Sequence, residues 1–329
     1  MRNLISISVL LILSLTGISQ TFTRKDSLRF APDSSYSRAI VRFGKELIFG
    51  TSKSGAIAYH ERKKTTRQIL FAIPKGEYRD IVIWKNIIYG MVSGDDGMIE
   101  QNRSLKYIGR IVHQGVFYDD MSLQGDNLTI LGDPVDGVFF LEQYNLHSNE
   151  KVADFKIKNQ PNEACYAASG TTACFLENGD YCFISGGGNQ ANFHRLNWKD
   201  TTSYFKTALP MALGEGAGPF SVFFSDSLHG TIVGGTYTKP NDQSGTAVYT
   251  VDGGKTWIAS TTLPAGYRSC VTGNKKIQFA CGSSGIDFST DGGKNWQQFD
   301  SGNYCALLLE KKTLYATTNK GVCIRYRIK

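Results

Sequence analysis

Thr250-Val-Asp-Gly-Gly-Lys-Thr-Trp257 returns about 40 residues later as Ser289-Thr-Asp-Gly-Gly-Lys-Asn-Trp296, and a period of that size marks a repeat architecture. The shared pattern is hydroxyl-x-Asp-x-Gly-x-[Thr/Asn]-Trp. It suits a turn between two strands: the Asp carboxylate accepts hydrogen bonds from nearby turn N–H groups, glycine supplies backbone freedom, and the Trp ring packs beneath. A repeated turn residue needs only a repeated turn, so Asp252, Trp257, Asp291 and Trp296 read as structural.

If the two turns mark consecutive repeats, each repeat should also begin with a strand at steady spacing. The chain supplies seven candidates: Ser37-Arg-Ala-Ile40, Tyr78-Arg-Asp-Ile81, Tyr118-Asp-Asp-Met121, Glu163-Ala-Cys-Tyr166, Phe220-Ser-Val-Phe223, Tyr267-Arg-Ser-Cys270 and Asn303-Tyr-Cys-Ala306. Their mean spacing of about 44 residues is that of a four-stranded propeller blade. The expectation is an all-β, seven-bladed β-propeller. Its last blade runs out of chain after three strands, and Leu28-Arg-Phe30 has no blade of its own. An N-terminal strand is therefore expected to close the seventh blade and remove an open edge.

Composition agrees: 329 residues with Gly 35, Tyr 16 and Phe 19 against Pro 8 suit many short strands joined by tight turns. Met1-Arg2-Asn3, the apolar run Leu4 to Leu15 and the small-residue stretch to Gln20 read as a signal peptide over 1–20. The run is too short to span a membrane, and no later segment is longer. Residues 21–329 are then one exported domain, periplasmic or secreted, and a monomer.

The net charge of +7 is scattered. Its one concentration, Arg62-Lys63-Lys64 with Arg67, has no interleaved aromatics, so nucleic acid is not an expected partner. Seven cysteines, with no CxxC or CxxH spacing, argue against a zinc or redox motif. They read as buried small hydrophobes, with one or two disulfides open. No dinucleotide, haem or phosphate-loop fingerprint occurs, and no metal or cofactor is expected.

The repeated turn resembles the Asp-box, or BNR repeat. In order along the chain, Tyr78-Arg-Asp-Ile81, Phe117-Tyr-Asp-Asp-Met121, Gly132-Asp-Pro-Val-Asp-Gly137, Glu163-Ala-Cys-Tyr-Ala-Ala-Ser-Gly170, Phe220-Ser-Val-Phe223, Gly266-Tyr-Arg-Ser269 and Gly282-Ser-Ser-Gly285 resemble exported propellers of the photosystem II stability and assembly factor-like group, some of which are labelled oxidoreductases. The first four blades have lost recognisable Asp-boxes, Asn197-Trp198 being a remnant. The resemblance implies a seven-bladed fold, an exported location and a binding or assembly-factor role; it does not imply a client.

In a propeller, the loops preceding inner strands share a face with those joining second and third strands, opposite the repeated turns. Matched inner-strand positions on that face give Arg38, Arg79, Asp119, Ala164, Ser221, Arg268 and Tyr304, with Glu163 adjacent. Ring closure makes Arg268, Tyr304, Arg38 and Arg79 one arc of the channel mouth, with Asp119 and Glu163 across it. Guanidinium groups from separate blades can clamp a planar anion. They can equally pair with Asp80, Asp119, Asp120 or Glu163. Two functions follow. The first is a non-enzymatic module that holds a protein, peptide, anionic small molecule or glycan at the mouth. The alternative is a sialidase-like glycan-active enzyme, with Tyr304 as nucleophile and Glu163 as its base.

Overall fold

The computed structural model describes residues 20–32, 35–70, 77–103 and 106–329. The predicted signal segment lies outside them apart from Gln20. The described strands form seven four-stranded antiparallel sheets, six of them in meander order, and no helix occurs among the described residues. This is the seven-bladed propeller that the repeat spacing calls for. The blade cores are formed between neighbouring sheets, as where Tyr89 and Met91 of blade two meet Tyr118 and Ile130 of blade three.

The expected ring closure is present. Phe22–Arg29 pairs antiparallel with Val322–Ile328 and becomes the outermost strand of blade seven. Its exposed face is polar, while Leu28 is buried and Phe22 stacks on Phe299 at 4.3 Å.

The Asp-Gly-Gly turns join third and fourth strands of blades five and six. Thr250 Oγ1 donates to Asp252 Oδ1 (2.8 Å) and accepts from the Gly254 amide (3.0 Å), while Asp252 accepts from the Thr256 amide (2.9 Å) and hydroxyl (2.6 Å). Ser289, Asp291, Gly293 and Asn295 repeat every one of these bonds. Burial would raise the Asp252 pKa, but these donors hold it down at about 2. Gly254 and Gly293 have φ of 89° and 87°. A Cβ on Gly254 would strike Phe193 of blade four, and one on Gly293 would strike Thr231 of blade five. Each turn therefore docks on the preceding blade. Trp257 follows, packed on Phe193 at 5.1 Å. Trp198 sits between the third and fourth strands of blade four, against Phe155 and Tyr181. Asp252→Ala should cost about 1–2 kcal/mol in urea unfolding, since it strips donors' partners from one turn without opening a core; a midpoint equal to wild type would contradict the structural role.

Two inner strands differ from expectation. In blade six the strand is Cys270–Gly273, starting where Tyr267–Cys270 was expected to end. In blade four it is Ala173–Phe175, and the expected Glu163–Tyr166 contributes only an isolated bridge, Ala164 with Gly186. The intervening segment crosses the centre of the ring instead. Ala168 O and Ala167 O accept from Arg38 Nη1 of blade one and Arg79 Nη1 of blade two, each at 3.2 Å. Ser169 Oγ donates to Ser269 O of blade six (2.8 Å), and Thr171 Oγ1 meets Ser221 Oγ of blade five (2.6 Å). Gly170 turns the segment at φ 61°, where a Cβ would run into the Asp80 carboxylate. The sequence Ala-Ala-Ser-Gly-Thr-Thr is small enough to make this central plug.

All seven cysteines are free thiols. Cys174 and Cys182 face each other across adjacent strands with sulfurs 3.4 Å apart.

Candidate functional site

One residue of the inner strand is left unpaired at the same place in five blades. Register skips from Ser37 to Ala39, Tyr78 to Asp80, Tyr118 to Asp120, Pro219 to Ser221 and Tyr304 to Ala306. The bulged residues are Arg38, Arg79, Asp119, Phe220 and Cys305, and a bulge re-aims its side chain. The residue after the bulge then latches the next blade: Asp80 accepts from the Met121 amide (2.9 Å), Asp120 from Ala173 (3.1 Å) and Ser221 from Val271 (2.8 Å). That spacing makes Thr171 and Ser269 the matching positions in blades four and six.

The predicted ring of site residues is corrected accordingly. Arg38, Arg79 and Asp119 hold their matched places. Ala164, Ser221, Arg268 and Tyr304 do not, because the bulge and the plug shift the alignment in blades four to seven. Ser221 is a fully buried latch. Arg268 is also fully buried and turned from the mouth: Nε donates to Asp287 Oδ2 (2.5 Å), Nη2 pairs with the same carboxylate, and Nη1 donates to Tyr267 O (2.8 Å) and Ser284 Oγ (2.7 Å). Internal pairing is the outcome for this arginine. Asp119 is buried beneath the mouth. Burial, then the neighbouring Asp133 and Asp120, pushes its pKa well above the carboxylate range against the pull of Arg79, so it is not an anion set across from the arginines.

Glu163 is buried within blade four. It accepts from Ser185 Oγ (2.6 Å), Asn192 Nδ2 (2.7 Å) and the Gln160 amide (2.7 Å). Burial would raise its pKa, but bonds from His194, Ser185 and Gln160 outweigh it and hold the value at about 2. His194, kept neutral by burial, lies 2.8 Å from Ser185 Oγ and 3.0 Å from Tyr204 Oη. Since the Ser185 proton goes to Glu163, His194 Nε2–H is shared between Ser185 and Glu163 Oε1 (3.5 Å), and Nδ1 accepts from Tyr204. This is the reverse of a nucleophile handing its proton to a histidine, and Ser185 and His194 have no exposure. Tyr304 contributes to the mouth lining, but its hydroxyl donates to Asp300 (2.7 Å) and contacts Tyr326 (2.7 Å), and burial pushes its pKa up. Tyr304 and Glu163 belong to separate networks on blades seven and four, so the nucleophile and base of the enzymatic alternative are not assembled.

What does assemble is a cup of about 670 Å³ on the predicted face, in the size range of small-ligand sites. Its floor is the plug, Ala167 and Ala168. One wall is cationic: Arg38 and Arg79, with side chains 30% and 24% exposed, share the single carboxylate of Glu77, so positive charge is in excess. The facing wall is aromatic. Phe220 stacks on Tyr166 (4.2 Å) and meets the ring of Tyr267 edge-on (4.9 Å), and Tyr237, reaching in from the loop between second and third strands of blade five, is 53% exposed. The sequence reading took Tyr166, Phe220 and Tyr267 for inner-strand residues. For Phe220 the signal is the small or hydrogen-bonding residue after the bulge, as at Ala39, Asp80, Asp120, Ser221 and Ala306; Tyr166 and Tyr267 lie outside the bulges and carry no such mark.

No family model matches the chain, and no curated protein matches it in sequence. Solved structures match its fold. The WD40 domain of Neurospora crassa Pan2 superposes with a TM-score of 0.67 at 13% identity, covering 93% of this chain and 95% of that one. A chain of the mitotic checkpoint complex gives 0.67 at 8% identity, covering 99% and 98%. At such identities the likeness is one of fold.

Proposed function

We propose that this propeller is an exported, non-enzymatic binding module of the assembly-factor kind that takes an anionic group of a protein partner into its mouth. The observation that carries this reading is the pair of guanidiniums at the cup, which share one carboxylate and stand opposite an aromatic wall. The ordered motifs resembling photosystem II assembly factor-like propellers support the assembly role, and residues 1–20 support export, which the N-terminal mass of the mature protein tests.

Selection from a random peptide library on the immobilised protein tests the binding. Acidic peptides should be enriched, and Arg38→Gln with Arg79→Gln should weaken the selected peptides by at least about tenfold, as expected for losing charged hydrogen bonds. Enrichment without acidic residues, or equal binding by the double variant, removes the mouth as the site. A glycan-active reading has no assembled acid, base or nucleophile to support it among the described residues.

A further inference from the structure

Glu77 holds the Nε edges of the two mouth arginines from just outside the cup lining. It receives a hydrogen bond from Arg79 Nε (3.1 Å), lies 3.6 Å from Arg38 Nε, and accepts from the Tyr36 hydroxyl. The pairing is loose. Arg38 Nε is buried without a hydrogen-bond partner, and Nη1 of each arginine is given to a plug carbonyl. Elsewhere the same chain builds tight pairs: Arg42 meets Glu310 through Nε (3.0 Å) and Nη2 (2.7 Å) and Glu61 through Nη1 (2.6 Å). A forked guanidinium prefers two parallel bonds to one carboxylate, and the mouth arginines are denied that arrangement by Glu77 alone.

We propose that the mouth is a receptor for a peptide carboxylate carried beside an aromatic side chain, and that Glu77 is its resident stand-in, displaced when the ligand enters. The proposal rests on the binding reading above and adds the ligand class and the exchange. The aromatic wall of Tyr166, Phe220, Tyr267 and Tyr237 offers faces and edges for one planar ring. The cup's volume admits a pair of side chains rather than a folded element. The ligand carboxylate takes the Nε positions, and the Glu77 carboxylate moves into solvent, already within reach at 25% exposure.

Acetyl-Phe-Asp-amide is titrated into the full chain and followed by NMR, beside acetyl-Phe-Asn-amide and acetyl-Ala-Asp-amide. The first should bind at least about tenfold tighter than either control. Glu77→Gln should tighten it roughly five- to tenfold, because an internal competitor is gone. Tyr36→Phe, which changes no charge, keeps the ring under Arg38 and releases both Glu77 and Arg38 from the hydroxyl, should tighten it about two- to threefold. No binding to wild type, or binding indifferent to Arg38→Gln, overturns the site itself. Arginine-dependent binding that Glu77→Gln leaves equal or weaker overturns the stand-in while the site survives. Tightening by Glu77→Gln with none by Tyr36→Phe also overturns it, since Glu77 would then act through space by charge alone. Equal binding of a control peptide overturns the carboxylate or the aromatic half of the ligand.

Discussion

Arg268→Ala should lose about 3–5 kcal/mol of unfolding free energy, the cost of leaving a buried charge without its partner. Asp287 is buried with Arg268, and burial already raises its pKa against the pull of that guanidinium. Removing the guanidinium leaves only the Ala265 amide, 3.2 Å away, as a partner for the carboxylate among the bonds described. The sign of the pH dependence follows. A carboxyl group whose folded pKa lies above its unfolded value penalises the fold when ionised, and the penalty vanishes below the unfolded value of about 3.9. The gap between variant and wild type should therefore be widest near neutrality and narrow as the pH falls toward 4. Arg268→Met with Asp287→Leu should recover most of the loss, because a packed apolar pair replaces the ionic one. Urea unfolding at two pH values decides it; a loss below about 1 kcal/mol would mean the pair is solvated.

A chain starting at residue 31 should lose at least about 5 kcal/mol, or fail to give a cooperative transition. It surrenders a whole outer strand and the Phe22 contacts with Phe279, Phe288 and Phe299. It also bares the edge of Val322–Ile328, so concentration-dependent association should appear in sedimentation. Adding a peptide of residues 20–31 should restore the transition. An unchanged melting temperature would show that the ring does not depend on this closure.

The blade count and the ring closure were legible because they follow from repeat spacing and chain direction, which are properties of sequence. The position of Arg38 and Arg79 at the mouth was legible for the same reason. Arg268 was not, since its fate is set by Asp287 on the third strand of blade six, and no local pattern marks that pairing. Phe220 and Cys305 were missed by one residue because a bulge consumes a position without changing the hydrophobic alternation on either side. Blade four misled most: Glu163-Ala-Cys-Tyr166 has the phrase of an inner strand, yet the small residues that follow fit the centre of the ring better than a blade layer. Glu163 was drawn inward by Ser185, Asn192 and Gln160, donors that lie within thirty positions but on two successive strands and a loop.

The plug makes the mouth a blind socket with a single door. Among the described residues the plug closes the cup's floor, so whatever enters leaves by the way it came. A long partner can offer this protein only a tip, a side chain at the crest of a loop or the end of a strand, while the rest of its body stays outside. Recognition would then read a short protruding feature and ignore the fold that carries it.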